Sequence, residues 1–324
     1  MPNLITHTLF AEELLPTLPS DVQSWLEPRA HLFEIGSNGP DFLFFHGRSK
    51  VNPMKSSVLQ SYGNQLHAGH VNDFYASCIA SIRKEKDATI KTDMTAYVCG
   101  HLCHWALDST VHPYVFYRTG SCKGKEAWYH HRMESILDAI VLKIKREETI
   151  ETFHTPDIAA CSLNEARAVA RVYVPAIEDV FHDSIKPHLI LDSLNDWHSI
   201  QELEYDPSGK KLALMQGLEK SVQKQNFLSG LIVPNVPEDD YDVCNLLHTT
   251  WLHPSTGEAF TDSFLDLYEL ALVRARTVIA LFLEALYRPA KEENFFAFVD
   301  DKNYNLGINE DLPMEHFDIC TFDF

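Results

Sequence analysis

The sequence predicts an all-α fold, a bundle of many helices, on three observations. Apolar residues recur three and four apart through most of the chain, the period of a helix with one buried face. Strict apolar–polar alternation is scarce, and its best short candidate is HLILD at 188–192. Hydrophobic residues make up 45% of the 324 residues, enough to bury a large core.

The elements follow in order. Residues 5–17 carry Ile5, Leu9, Leu14 and Leu15 at helical intervals, closed by Pro16 and Pro19. Ser20 opens SDVQSWLEPRA as an N-cap. The stretch LFEIGSNGPDFLFFHG is broken by Gly36, Gly39 and Pro40, which sets Asp41 at or just past a turn. Residues 56–84 read as one long helix with Leu59, Leu66, Val71, Phe74, Cys78 and Ile79 on its apolar face. Residues 89–117, 125–147, 164–182 and 258–288 read as helices too, the second with Met133, Leu137, Ile140, Val141 and Ile144 inward. Residues 183–257 are mixed, with loops at Pro187, Pro207, Pro234, Pro237 and Pro254. Residues 1–290 thus form a helical domain. From about residue 291 the periodicity is lost. Residues 291–324 read as an irregular acidic and aromatic tail, with Phe295, Phe296, Phe298, Tyr304, Phe317 and Phe324. Such a tail packs its aromatics on the body, or forms an arm that covers a site.

Charge and patterning exclude several classes. A net charge of −19 repels phosphate backbones and anionic membranes, so nucleic-acid binding is disfavoured. No run reaches about 18 uncharged apolar residues, the length of a membrane span. TVIALFLEALY comes nearest and contains Glu284. MPNLITHTLFAEELL has no basic leader, apolar core or small-residue cleavage site, so a cytoplasmic protein is expected. The 7 cysteines are scattered, with Cys99 and Cys103 a helical turn apart and no second pair, which fits reduced thiols.

Polar residues stacked on apolar helices need partners, because burying them unpaired is costly. GHLCHWALDSTVHPY places His104, Asp108 and His112 four apart on one side of a helix, with His101 a turn before. WYHHRMESILD repeats the step with His130 and Glu134. A third, diffuse group holds His7, Asp41, and His67 with His70 in LHAGH. Zinc takes neutral imidazole nitrogens and carboxylate oxygens at about 2 Å, converging from different elements. Helix pairs with ligands four apart provide that convergence. Asp108, with histidines a turn either side, is best placed to bridge two metals. Each pair also reads as an ordinary hydrogen-bonded helix pair.

This set resembles the zinc-dependent phospholipase C family, helical enzymes whose fold is shared with single-strand nucleases of the S1/P1 type. The family's histidine near the N-terminus is matched by His7, and its Pro-Asp after a Gly-containing segment by Pro40-Asp41. The histidine on the next helix is matched by His67 or His70. Gly-x-x-x-His-x-x-x-Asp is matched by Gly100, His104 and Asp108, and His-x-x-x-Glu by His130 and Glu134. The match covers about residues 1–140. It departs from the family at His112, which follows Asp108 by four residues rather than six and precedes Pro113 instead of following a proline. Secreted members also ligate metal through the mature N-terminal amine and carbonyl; here Pro2 would take that place.

The resemblance implies a phospholipase C-like bundle holding two zinc ions, or three if that terminal site forms. The implied ligands are His7, Asp41, His67, His104, Asp108, His112, His130 and Glu134. The implied reaction is hydrolysis of a phosphodiester or other phosphoester, a phospholipid head group among them, by metal-activated water, with Asp41 as a candidate general base. Trp105, Tyr114, Phe116 and Trp128 are candidates to line a pocket for a choline-like head group. Three other readings stand beside it. They are a nuclease or phosphatase on the same fold, a non-catalytic helical metal-binding protein, and a His-Asp phosphohydrolase using His182-Asp183.

Overall fold

The computed structural model describes residues 4–52, 55–237 and 240–323. It is all-α, as the periodicity predicts. The helices are α1 (Leu4–Leu14), α2 (Ser20–Leu26), α3 (Ala30–Ser37), α4 (Val58–Ala68), α5 (Val71–Lys84), α6 (Ala88–Thr119), α7 (Glu126–Arg146), α8 (Pro156–Ala159), α9 (Leu163–Phe181), α10 (Pro187–Glu204), α11 (Lys210–Val222), α12 (Phe264–Tyr287) and α13 (Glu292–Val299). Among the described residues the only sheet is an antiparallel ribbon of β1 (Trp251–Leu252) and β2 (Ala259–Phe260), with Trp251 opposite Phe260. No described helix is long and apolar enough to cross a membrane.

The axis of the bundle is α6, 32 residues long and buried on all sides from Met94 to Val115 apart from a partly buried Thr110. Asp87 caps its start by accepting from the amides of Thr89 and Ile90 at 2.9 and 3.1 Å. Helices α1, α3, α5, α7, α9 and α12 pack around it. A helix buried all round has no amphipathic stripe, so its side chains are sorted by which neighbour they meet. The closest neighbour is α3. A Cβ on Gly100 would lie 2.1 Å from the Phe33 carbonyl oxygen and 2.9 Å from the Gly36 Cα. Two glycines therefore let α3 and α6 touch backbone to backbone, and this fixes where the turn after α3 emerges.

The structure corrects several expectations. Residues 56–84 are two helices, because Gly69 and the left-handed His70 (φ 61°) break the chain between α4 and α5. HLILD lies inside α10, and the region 183–257 contains two full helices, α10 and α11. Prolines mark their starts and flanks rather than continuous loop, as N1 prolines do. The last long helix begins at Phe264, closed by a Ser263–Asp266 capping box, so 258–263 belong to the ribbon and its exit. Ser20 is the first residue of α2; Pro19 holds the cap position. The tail opens with helix α13 before turning irregular. Its Phe295, Val299 and Tyr304 are buried against the body, while Phe324 lies outside the described residues. Among the described residues the cysteines are all free thiols.

Candidate metal centre

Five elements deliver the polar cluster: α1, the turn after α3, α4 and the paired helices α6 and α7. His7 sits on α1, whose amino end is held by Asp138 of α7. The Asp138 carboxylate accepts from the Ile5 and Thr6 amides at 3.0 and 2.9 Å and from the Thr6 hydroxyl at 2.6 Å. An acid at a helix N-terminus satisfies orphan amides and faces the positive end of the dipole. Burial pushes the Asp138 carboxyl up to about 7, against the pull of those bonds. Asp41 begins the 3-10 turn Asp41–Phe45. Just before it, Gly39 (φ +53°) passes so close to His104 that a Cβ would lie 2.2 Å from the imidazole. Only glycine fits there.

All eight residues of the predicted set are buried and lie together. Asp108 is the hub. Its Oδ1 is 3.2 Å from His7 Nε2. Its Oδ2 is 3.0 Å from His104 Nε2, 3.6 Å from His112 Nδ1 and 4.0 Å from His67 Nε2. Asp41 Oδ1 is 3.1 Å from His67 Nε2 and 3.9 Å from His104 Nε2. Glu134 Oε1 is 2.9 Å from His130 Nε2 and 3.5 Å from His112 Nε2. Three groups are compact enough to hold a metal ion. They are His7, His104 and Asp108; Asp41, His67 and His104; and His112, His130 and Glu134. His70 does not join them: it lies near Asp73 and packs edge-on against Phe181.

The distances hide a chemical peculiarity. His7 Nε2, His67 Nε2, both nitrogens of His104 and both oxygens of Asp108 are buried with no aligned hydrogen-bond partner. They are near one another but do not point along a donor–acceptor line. Imidazole nitrogens and carboxylate oxygens that lie this close without aligned hydrogen bonds could share a metal ion. Rings are oriented from behind, the usual arrangement for imidazole ligands. His67 Nδ1 is 2.8 Å from the Gly63 carbonyl, His112 Nδ1 is 3.0 Å from the Tyr304 carbonyl, and His130 Nδ1 is 3.1 Å from the Thr119 hydroxyl. Burial pulls His104 below its ordinary value, against the pull of Asp108 and Asp41, and takes His130 down to about 4. Burial opposes ionisation of Asp108, but His104, His112 and His7 hold its carboxyl well below the usual range.

The tail covers this cluster. Its Tyr304 amide donates to the His67 carbonyl at 3.1 Å, and its ring lies 5.3 and 5.4 Å from those of His67 and His104. Farther on, the Cys320 and Asp318 amides donate to the Arg118 and Tyr117 carbonyls at the end of α6. One side stays open: a cavity of about 540 Å³ is lined by Asp41, His67, His112 and His130, with Phe44, Phe116, Trp197 and Arg48 among its walls. Of the four aromatics proposed from sequence for a head-group pocket, only Phe116 lines it. Trp105 donates to the Lys302 carbonyl, Tyr114 donates to the Val243 carbonyl, and Trp128 packs on Phe227. His182 ends α9 in a left-handed conformation, and Asp183 accepts from the Tyr62 hydroxyl; neither joins a metal-sized group among the described residues. Pro2 lies outside the described residues.

Sequence reading passed over Asp138, Arg48 and the backbone of Tyr304. Asp138 carried a signal, since it continues the four-residue step of His130 and Glu134. Tyr304 is far along the chain from the histidines it holds, and nothing local marks it. No family model, curated protein or solved structure matches the chain.

Proposed function

We propose that the chain is a zinc-dependent phosphoester hydrolase of the phospholipase C type. The observation that carries this reading is the cluster itself: buried nitrogens and carboxylate oxygens from five elements, in three compact groups of which two share His104, beside one cavity. The donor set, imidazole plus carboxylate, fits zinc. His7, His104 and Asp108 would hold one ion, and Asp41 with His67 and the shared His104 region a second. His112, His130 and Glu134 would hold a third. Bound zinc supplies water acidified to near neutrality and positive charge for phosphoryl oxygens.

The chain's own residues do the rest. The Gly63, Thr119 and Tyr304 oxygens behind His67, His130 and His112 fix which ring nitrogen faces the centre. Asp41 lines the cavity with one oxygen turned to His67, which leaves its other oxygen to accept a proton from attacking water. Tyr304 and the tail close the far side against solvent. An acidic protein with net charge −19 can admit a phosphate here only through this locally positive centre. An open cavity beside the ligands favours catalysis over a purely structural metal, whose shell is closed.

The test is a panel of chromogenic phosphomonoesters and phosphodiesters, followed by phosphatidylcholine, with and without chelator. The expected result is hydrolysis lost on chelation and restored by zinc. A folded, zinc-loaded protein that hydrolyses nothing in the panel would favour the non-catalytic metal-binding reading.

A further inference from the structure

The cavity has a second chemical feature. Arg48 reaches it from the loop after the Asp41 turn. That loop is fixed: the Gly47 amide donates to Asp196 Oδ2 at 2.7 Å, and the Arg48 amide to the Phe45 carbonyl at 2.8 Å. The Arg48 Nε is buried with no hydrogen-bond partner, and its guanidinium makes no ion pair among the described residues. It lies 5.8 Å over the Phe45 ring. Glu204 shares the cavity and feels Arg48, but the two form no ion pair among the described residues. Its partly buried carboxyl accepts from Gln201 at 3.2 Å, and burial pushes it up to about 8 against the pull of Arg48. Arginine stays charged under any physiological condition. A part-buried, unpaired guanidinium beside a phosphoester site is costly unless something anionic meets it.

The geometry points to an anion subsite at Arg48, so that the substrate carries a second negative group besides the phosphoester at the histidine cluster. This rests on the phosphoesterase reading above. It also gives the substrate class a direction. A quaternary ammonium head group would meet a cation that already occupies the Phe45 ring face, so a choline-like group is rejected rather than caged. A second phosphate or a carboxylate gains charge-assisted, bidentate hydrogen bonds there.

The test measures binding by calorimetry to the zinc-loaded full chain. The probes are 1,n-alkanediol bisphosphates with n from two to six, each against the alkyl monophosphate of equal length, plus phosphocholine. At one chain length the bisphosphate should bind about tenfold or more tightly than its monophosphate, the gain of one charge-assisted contact. Arg48→Gln should abolish that advantage while leaving monophosphate binding and zinc content unchanged, and Arg48→Lys should retain part of it. The length dependence is read on the unmodified protein, so the test survives a variant that fails to fold. Zinc-dependent monophosphate binding with no bisphosphate advantage at any length, or an advantage that survives Arg48→Gln, overturns the subsite alone. A preference for phosphocholine overturns it too. Failure of every phosphate probe to bind the zinc-loaded chain overturns the phosphoesterase reading, and the subsite with it.

Discussion

His101 and His104 lie one turn apart on α6, both fully buried, in opposite chemical settings. His101 is satisfied on both sides: Nδ1 is 2.9 Å from the Tyr75 hydroxyl and Nε2 is 3.1 Å from the Tyr173 hydroxyl. Tyr97 extends that network, 3.3 Å from Tyr173 and 3.2 Å from the Gly39 carbonyl. Burial raises all three tyrosine hydroxyls above their ordinary range, so they remain protonated. His104 has no aligned partner and faces two carboxylates. The same residue type, on the same helix, is closed by neutral hydroxyls in one place and left open toward acids in the other. Burial alone therefore does not mark a histidine as a ligand; what makes His104 a candidate is its place beside two carboxylates with no aligned partner of its own.

The largest effect that can break this contrast is at the hub. Asp108→Asn keeps the shape but removes a charge and a ligand oxygen. It should lower bound zinc and reduce hydrolysis by about 10²–10³ or more, the scale of losing a principal electrostatic group. Metal content and kcat measured on the same preparation check this. Activity that survives both chelation and Asp108→Asn would remove the metal from the mechanism.

The complementary change is His101→Phe. It should leave zinc content unchanged and cost about 1–3 kcal/mol of stability, because the Tyr75 and Tyr173 hydroxyls lose a buried partner. Denaturant unfolding and metal analysis together check it. Loss of zinc here would erase the distinction between the two histidines.

These two changes also show where the sequence was legible. His104, Asp108, His130 and Glu134 could be paired from spacing alone, because a helix converts a four-residue step into one face. His7, Asp41 and His67 needed the order of motifs in a resembled family. Their convergence depends on backbone contact at Gly36 and Gly100, which no local pattern encodes. The helix break at Gly69 was missed because apolar spacing runs on across it. The tyrosines that satisfy His101 come from α5 and α9, and Tyr304 arrives from the tail. Long-range partners of that kind decide whether a buried histidine is closed or open, and periodicity does not report them.

A smaller effect tests how the rings are placed. Gly39→Ala adds a Cβ that strikes the His104 imidazole in a backbone conformation unfavourable to alanine. About 1–3 kcal/mol of stability should be lost, with weaker zinc retention during dialysis. Asp138→Asn should act on His7 through α1, weakening zinc retention about tenfold, as loss of an outer-shell partner does. Unchanged zinc affinity in both would mean the cluster tolerates displaced rings.

The smallest expected effect is at the periphery, where a histidine does have an aligned acid. His31 Nδ1 is 2.8 Å from Glu165 Oε1 in a partly exposed pair. The bond to Glu165 raises His31 above 6.5. Against burial, bonds from His31 and Ser162 hold Glu165 down to about 2. The histidine's contribution is full below about 6.5 and fades as pH rises through its folded-state value. The carboxylate's contribution is present above about 4.5 and fades as pH falls toward 2. Both operate between about 4.5 and 6.5, so His31→Ala should lower Tm most in that window and less as pH rises past the folded-state value of His31. A uniform loss across pH would assign His31 to packing instead.

The central claim is that the non-aligned cluster is a metal centre. Elemental analysis of protein purified without chelator, combined with zinc-edge absorption, addresses it directly. Two or three zinc per chain are predicted, with nitrogen and oxygen ligands at about 2.0–2.2 Å, and removal should lower Tm by mass action. A chain that emerges without stoichiometric metal, takes up none on zinc addition, and keeps its full thermal stability would contradict the account.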